Sequence, residues 1–166
     1  MPSRPEDSDS ALDPSSGEVG ARPDAPQPGK VVTVLSVSGS EADYRSLGHM
    51  FQHTKWVLLE STSCAEAVEV LGRRPVPVVI CDSTLPDGDW KDVLTGIAGV
   101  SAPPLLIVAS RLADDRLWAE VMSCGAFDVL EKPFNQSELV RVVSLAWLTW
   151  RDRWQRAPEG GAGAAG

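Results

Sequence analysis

The chain has 166 residues, 43% of them hydrophobic, which is enough for one globular domain with a buried core. No apolar run approaches the roughly 18 residues that a membrane span needs, and the start of the chain lacks the apolar stretch of a signal peptide, so we expect a cytoplasmic protein. The net charge of −8 argues against non-specific nucleic-acid binding through the whole surface.

Both ends of the chain have a composition that is typical of disorder. Residues 1–29 are rich in Pro, Ser and acidic residues, and residues 157–166 are mostly Gly and Ala. Such segments cannot bury enough apolar surface to offset the entropy that is lost on ordering. We therefore expect two disordered tails around one domain at residues 30–156.

Between the tails, short apolar strands alternate with amphipathic helices. Strands are predicted at residues 31–37, 56–59, 76–81, 105–109 and 127–130, and helices at 41–53, 64–71, 90–97, 112–124 and from a cap at Asn135 or Ser137 to about 156. Gly72 and Gly125 are expected to end the second and fourth helices. This alternation predicts a three-layer α/β/α sandwich, and a flavodoxin-like parallel sheet with strand order 2-1-3-4-5 suits the length.

The three cysteines, Cys64, Cys81 and Cys124, are widely spaced and lie in apolar or helical contexts. Because no CxxC pair is present, they are interpreted as small buried hydrophobic residues in a reducing compartment rather than as disulfide partners or zinc ligands.

Polar side chains follow the strands at the edge where open α/β sheets bind their ligands. Ser38 follows the first strand, Asp82 the third, Ser110 the fourth and Lys132 the fifth. An acid, a hydroxyl and an ammonium at one edge suit a small anion held on the carboxylate. Asp82 would be the nucleophile toward a phosphoryl group, Lys132 would neutralise phosphate oxygens and Ser110 would donate a hydrogen bond.

Three segments, in this order and at these separations, resemble the CheY-like receiver domains of response regulators in bacterial two-component systems. They read Val-Val-Ile-Cys-Asp82-Ser-Thr-Leu-Pro-Asp-Gly, Leu-Leu-Ile-Val-Ala-Ser110 and Gly-Ala-Phe-Asp-Val-Leu-Glu-Lys132-Pro-Phe. The resemblance covers about residues 30 to 150. It implies that Asp82 accepts a phosphoryl group from a phosphohistidine, that Ser110 is the switch hydroxyl and that Lys132 contacts the phosphate. It also implies a cis bond between Lys132 and Pro133.

The chain departs from this family after the first strand. Ser38 and Gly39 stand where receivers normally carry two acids that hold Mg²⁺ with the phosphoacceptor. The metal ligands that remain are Asp82, the main-chain oxygen of Thr84 and, if its side chain turns inward, Glu41. The other interpretation of Glu41 is a solvent-facing acid favoured by the helix dipole. We therefore expect Mg²⁺ binding to be weak or lost.

Further departures lie near the same edge. Val129 replaces the Tyr or Phe whose rotation accompanies switching in receivers, and the loop from Asp82 is shorter than usual. In that loop, Asp87 and Asp89 are interpreted as a turn residue and a helix cap. On the first helix, His49 and His53 are one turn apart, but no further ligand is spaced to complete a metal site, so a surface pair is expected.

The last helix carries an apolar stripe that includes Trp147, Trp150 and Trp154. A helix that ends near residue 156 is about 30 Å long, which exceeds the 17–20 Å of a typical strand. The last two tryptophans are therefore predicted to overhang beside arginines and to form an interface with a second copy or an upstream protein.

These features favour a stand-alone receiver domain that is phosphorylated on Asp82 by a sensor histidine kinase or phosphotransfer protein. It would signal to a downstream protein partner through its fourth and fifth helices and catalyse at most its own aspartyl phosphorylation and dephosphorylation. The alternative is a phosphorylation-independent pseudo-receiver that acts as a protein-binding module. A hydrolase-like enzyme is disfavoured because no nucleophile–base pair is evident, and DNA binding is disfavoured because no second helix follows to build a helix-turn-helix.

Overall fold

The structure is a computed structural model that describes residues 31–156. The tails predicted at 1–29 and 157–166 lie outside the described residues. Among the helices of residues 31–156, none combines the length and apolar character needed to cross a membrane.

The sheet has five parallel strands, in the order β2-β1-β3-β4-β5. The strands are β1 (Thr33–Val37), β2 (Val57–Ser61), β3 (Val78–Asp82), β4 (Leu105–Ser110) and β5 (Asp128–Glu131), and the helices are α1 (Glu41–Phe51), α2 (Cys64–Arg73), α3 (Trp90–Ile97), α4 (Asp115–Ser123) and α5 (Gln136–Arg156). The predicted fold class and strand order are therefore confirmed, and the predicted element ends differ from the observed ones by three residues or fewer.

Helices cover both faces of the sheet. Helices α1 and α5 pack on one face, and α2, α3 and α4 pack on the other. Successive strand residues point to opposite faces, so Val34 joins the first core and Leu35 the second. This arrangement explains why the strands are continuous apolar runs, as in other doubly covered parallel sheets.

Side-chain caps place the helix starts. Asn135 is the cap of α5, because its Oδ1 accepts a hydrogen bond from Glu138 N at 3.0 Å. Helix α4 begins at Asp115 rather than at 112, because Asp114 accepts a hydrogen bond from Leu117 N and so acts as the N-cap. Gly125 follows α4 with φ of +93°, as expected for a glycine that ends a helix.

Two local predictions are wrong, and one local element was not predicted. Helix α2 continues through Gly72 to Arg73, so Gly72 is an internal residue and not a cap. The loop after β3 contains a short antiparallel hairpin in which Thr84–Leu85 pairs with Gly88–Asp89, which was not predicted. Cys124 is exposed, because it follows the last turn of α4 on the outer surface, whereas Cys64 and Cys81 are buried as predicted.

The tryptophans of α5 do not overhang. Trp147 and Trp150 are buried in the core, and the rings of Trp150 and Trp154 stack in parallel with centroids 6.0 Å apart. The two stacked rings line a cavity of about 250 Å³ together with Pro75 and Pro104. Pro75 and Pro104, which precede β3 and β4, therefore lie beside the part of α5 that was predicted to project into solvent.

Candidate functional site

The predicted acid and amine meet at the carboxyl edge of the sheet. Asp82 ends β3, and Lys132 follows β5. Lys132 Nζ lies 2.7 Å from Asp82 Oδ1, and both side chains are largely buried. The parallel pairing of β3 with β4 and of β4 with β5 brings these distant parts of the chain together.

Ser110 lies at the same edge, at the end of β4. The register places Ala109 beside Asp82 and Ser110 beside Glu131. The Ser110 hydroxyl accepts a hydrogen bond from Leu112 N at 3.0 Å, and its carbonyl accepts one from Lys132 N at 2.9 Å. Ser110 therefore holds the backbone of the lysine and keeps its own hydroxyl proton available to donate.

The two oxygens of Asp82 have different surroundings. Oδ1 accepts from Lys132 and from Ser83 N, the latter at 3.1 Å. Oδ2 accepts only a longer hydrogen bond of 3.3 Å from the Ser38 hydroxyl among the described residues. Oδ2 is therefore the less engaged of the two oxygens.

Asp43 joins the site and was not predicted from the sequence. Its Oδ2 lies 2.5 Å from Lys132 Nζ and accepts a hydrogen bond of 3.0 Å from the Ser38 hydroxyl. An acid in the first turn of a helix ordinarily faces solvent and interacts with the helix dipole. The signal that could have revealed it is spacing: Asp43, Leu47 and Phe51 lie four residues apart and form the buried face of α1.

The predicted alternative acid does not face this pocket. Glu41 is 79% exposed and pairs with Arg45, four residues along α1, at 3.4 Å. The inward carboxylate of the first helix therefore comes from Asp43, and Glu41 takes the solvent-facing position that was the other interpretation.

Asp87 is a turn residue and Asp89 is a helix cap, as predicted, but Asp87 also caps a second helix, which was not predicted. Asp87 accepts hydrogen bonds from Cys64 N at 2.8 Å and from Ala65 N at 3.1 Å, and so caps α2 from across the loop. These bonds lower the pKa of the Asp87 carboxyl. Asp89 caps α3 in a reciprocal arrangement with Asp92.

The structure also locates three further residues that the sequence analysis singled out: Thr84, Val129 and Lys132 with the bond that follows it. Thr84 is the first residue of the hairpin and pairs with Asp89. Val129 is buried in β5. The Lys132–Pro133 bond is cis, as predicted.

His49 and His53 are exposed, with ring centroids 6.3 Å apart. Among the residues that the structure describes, no group of three or more His, Cys, Asp or Glu side chains is placed to hold a metal ion.

Comparisons with known proteins agree with this geometry. Residues 34–144 match the response regulator receiver domain family. The chain is 30% identical over 83 residues to the transcriptional regulatory protein KdpE of Mycobacterium tuberculosis, a match that spans 50% of this chain and 36% of that protein. It is 28% identical over 85 residues to the chemotaxis protein CheY of Thermotoga maritima, spanning 51% and 71%.

Solved structures show the same fold. The signal receiver domain of a LuxO repressor protein from Vibrio parahaemolyticus superposes with a TM-score of 0.70 at 23% identity, covering 77% of this chain and 98% of that one. The receiver domain of an HD domain-containing protein from Pseudomonas fluorescens also gives 0.70, at 22% identity, covering 80% and 97%.

Proposed function

Because the chain belongs to the response regulator receiver domain family, we propose that it is phosphorylated on Asp82 in a two-component phosphorelay and signals through a protein partner. The phosphoryl donor would be a sensor histidine kinase or a phosphotransfer protein. The observation that carries the proposal is the 2.7 Å contact between Lys132 Nζ and Asp82 Oδ1. It sets a fixed cation beside the carboxylate that would carry the phosphoryl group.

The chemistry follows from the two different oxygens of Asp82. Oδ2 attacks phosphorus, and an O–P bond forms while the P–N bond of the phosphohistidine breaks and the leaving imidazole takes up a proton from water. The Lys132 ammonium balances charge on the phosphoryl oxygens, and the free hydroxyl proton of Ser110 serves as a second donor at the same edge. Both groups are held before reaction, so little reorganisation is needed.

The test is phosphorylation by a small donor. The protein is incubated with acetyl phosphate, with Mg²⁺ in one arm and EDTA in the other, and intact mass is followed with time. We expect one added phosphoryl group that Asp82→Asn abolishes. Asp115→Asn, which neutralises an exposed acid at the start of α4, is expected to keep the adduct. An adduct that survives Asp82→Asn, or none in either arm, contradicts the proposal.

The phosphorylation-independent pseudo-receiver is the second candidate. It is favoured by the shared lysine: Lys132 also contacts Asp43, so the cation beside Asp82 is already engaged. In this case no adduct forms, and a partner captured by the wild-type protein binds Asp82→Asn equally well.

A further inference from the structure

The pocket at the carboxyl edge does not fit a divalent cation. Mg²⁺ requires nearly octahedral oxygen ligands at about 2.0–2.1 Å. Here the space between the carboxylates of Asp43 and Asp82 is taken by Lys132 Nζ, at 2.5 Å from one and 2.7 Å from the other. The free volume beside these groups is about 10 Å³, which is near the lower limit for a single water molecule.

The lysine has little room to leave this position. Its side chain is 8% exposed, and the apolar side chains of Leu47, Ile80 and Phe134 line the same pocket. Movement of the ammonium away from both carboxylates would leave two buried acids without a counter-charge, which is strongly unfavourable. One cation therefore balances two anions here, and the single proton of the Ser38 hydroxyl is shared between the two carboxylates, with the shorter contact to Asp43.

We propose that Asp43 is a positioning residue that fixes Lys132 as the resident cation of this site in place of Mg²⁺. An ammonium has three N–H donors. One is directed to Asp43 and one to Asp82, which leaves the third for a phosphoryl oxygen on Asp82. The second carboxylate of the site therefore lies on the buried face of α1, at Asp43, and not in the loop after β1. From this position it binds an ammonium group rather than a metal ion.

The role of Asp43 and Lys132 in phosphoryl transfer rests on the proposed function. The replacement of Mg²⁺ by Lys132 does not, because metal binding is measured without any phosphoryl donor. The first experiment is therefore a titration of the full chain with MgCl₂ into the millimolar range, followed by tryptophan fluorescence and by thermal midpoint, with EDTA as reference. We expect no change in the wild-type protein.

A gain-of-function variant provides the positive control. Gly39→Asp returns a carboxylate to the loop after β1, where an added Cβ would lie 3.5 Å from Pro86 in ordinary contact. This variant is expected to acquire a Mg²⁺-dependent fluorescence change and a raised thermal midpoint. Saturable Mg²⁺ binding by the wild-type protein that Asp43→Asn weakens would overturn the proposal, because Asp43 would then be a metal ligand.

Phosphorylation by acetyl phosphate gives the second readout. We expect equal adduct formation in Mg²⁺ and in EDTA for the wild-type protein and a loss of roughly tenfold or more in Asp43→Asn. Glu41→Gln, which removes an exposed acid from the same turn of α1, should behave as wild type. The double variant Gly39→Asp with Asp43→Asn is expected to recover the adduct in Mg²⁺ but not in EDTA, which a purely structural role for Asp43 would not produce.

The two readouts separate the two proposals. If no variant forms an adduct, the proposed phosphorylation fails, and the Mg²⁺ titrations of wild type and Gly39→Asp still decide whether Lys132 has replaced the metal. If the wild-type adduct forms only with Mg²⁺, phosphorylation stands and the replacement is wrong. If Asp43→Asn does not fold, the titrations and the Mg²⁺/EDTA comparison on wild-type protein decide the same question.

Discussion

The carboxylate of Asp43 and the ammonium of Lys132 are 89 positions apart in the chain, yet their Oδ2 and Nζ atoms lie 2.5 Å from each other inside the domain. The pair joins the first helix to the loop after the last strand, across the face of the sheet that carries Asp82. Loss of Lys132 leaves both Asp43 and Asp82 without a counter-charge, whereas loss of Lys132 together with Asp43 leaves only Asp82 without one.

The first prediction is a double-mutant cycle on this pair. Lys132→Met should lower the free energy of unfolding by about 3–5 kcal/mol, because it leaves two buried carboxylates without a counter-charge. Adding Asp43→Leu should return part of that loss, with a coupling energy of about 1–3 kcal/mol in urea denaturation. The exposed Glu41–Arg45 pair is the matched control, with a coupling of about 0.5 kcal/mol or less. Equal coupling in the two cycles would mean that burial does not strengthen the Asp43–Lys132 contact.

The second prediction concerns Asp87, whose carboxylate caps α2 from the hairpin loop. Hydrogen bonds from Cys64 N and Ala65 N lower the pKa of this carboxyl below its ordinary 3.8. A depressed pKa means that the stabilisation is present at neutral pH and is lost as the pH falls through the folded-state value. Wild type should therefore have a higher thermal midpoint than Asp87→Asn at neutral pH, and the gap should narrow in acid.

Thermal midpoints of both proteins from neutral to acidic pH give the measurement, with Glu60→Gln, which changes an exposed acid of β2, as the charge control. A gap that widens as the pH falls would contradict the assigned hydrogen bonds.

The architecture was predictable because its determinants are local and periodic. The runs that end in Asp82 and Ser110 are apolar at every position, which identifies strands covered on both faces. Parallel pairing then brings the residues that follow the strands to one edge, so the sequence alone groups Asp82, Ser110 and Lys132.

The sequence did not predict the burial of Asp43 and Trp150, because their burial depends on long-range contacts that sequence periodicity does not indicate. Asp43 lies on the buried stripe of α1, but a polar residue on such a stripe is recognised only once its partner from the other end of the domain is known. The burial of Trp150 likewise results from packing against core residues from distant parts of the chain. Helix length alone therefore led to the wrong prediction that Trp150 is exposed.

The third prediction contrasts two glycines that the sequence pattern treats alike. Gly72 lies inside α2 with open space around an added Cβ, so Gly72→Ala should raise the free energy of unfolding by about 0.5–1 kcal/mol. Gly125 has φ of +93°, so Gly125→Ala should lower it by about 1–2 kcal/mol. Urea denaturation of the two variants checks both signs. Stabilisation by Gly125→Ala would show that the backbone at this position is not left-handed.

The fourth prediction replaces the expected interface role of Trp150 with a role in the core. Trp150 is 4% exposed, whereas Leu148 on the outer side of α5 is 42% exposed. Truncation of a buried aromatic costs about 3–5 kcal/mol, so Trp150→Ala should lower the free energy of unfolding by that amount. Surface changes typically fall within about 0.5 kcal/mol, which is the effect expected for Leu148→Ala.

Sedimentation of the same two variants tests the role of each residue in association. If α5 mediates self-association, Leu148→Ala should weaken the association, because Leu148 is exposed. Trp150→Ala should affect association only by unfolding the protein. A folded Trp150→Ala protein with unchanged stability but altered association would instead support an exposed interface role for Trp150. A ring packed between α5 and the sheet cannot be removed without loss of stability.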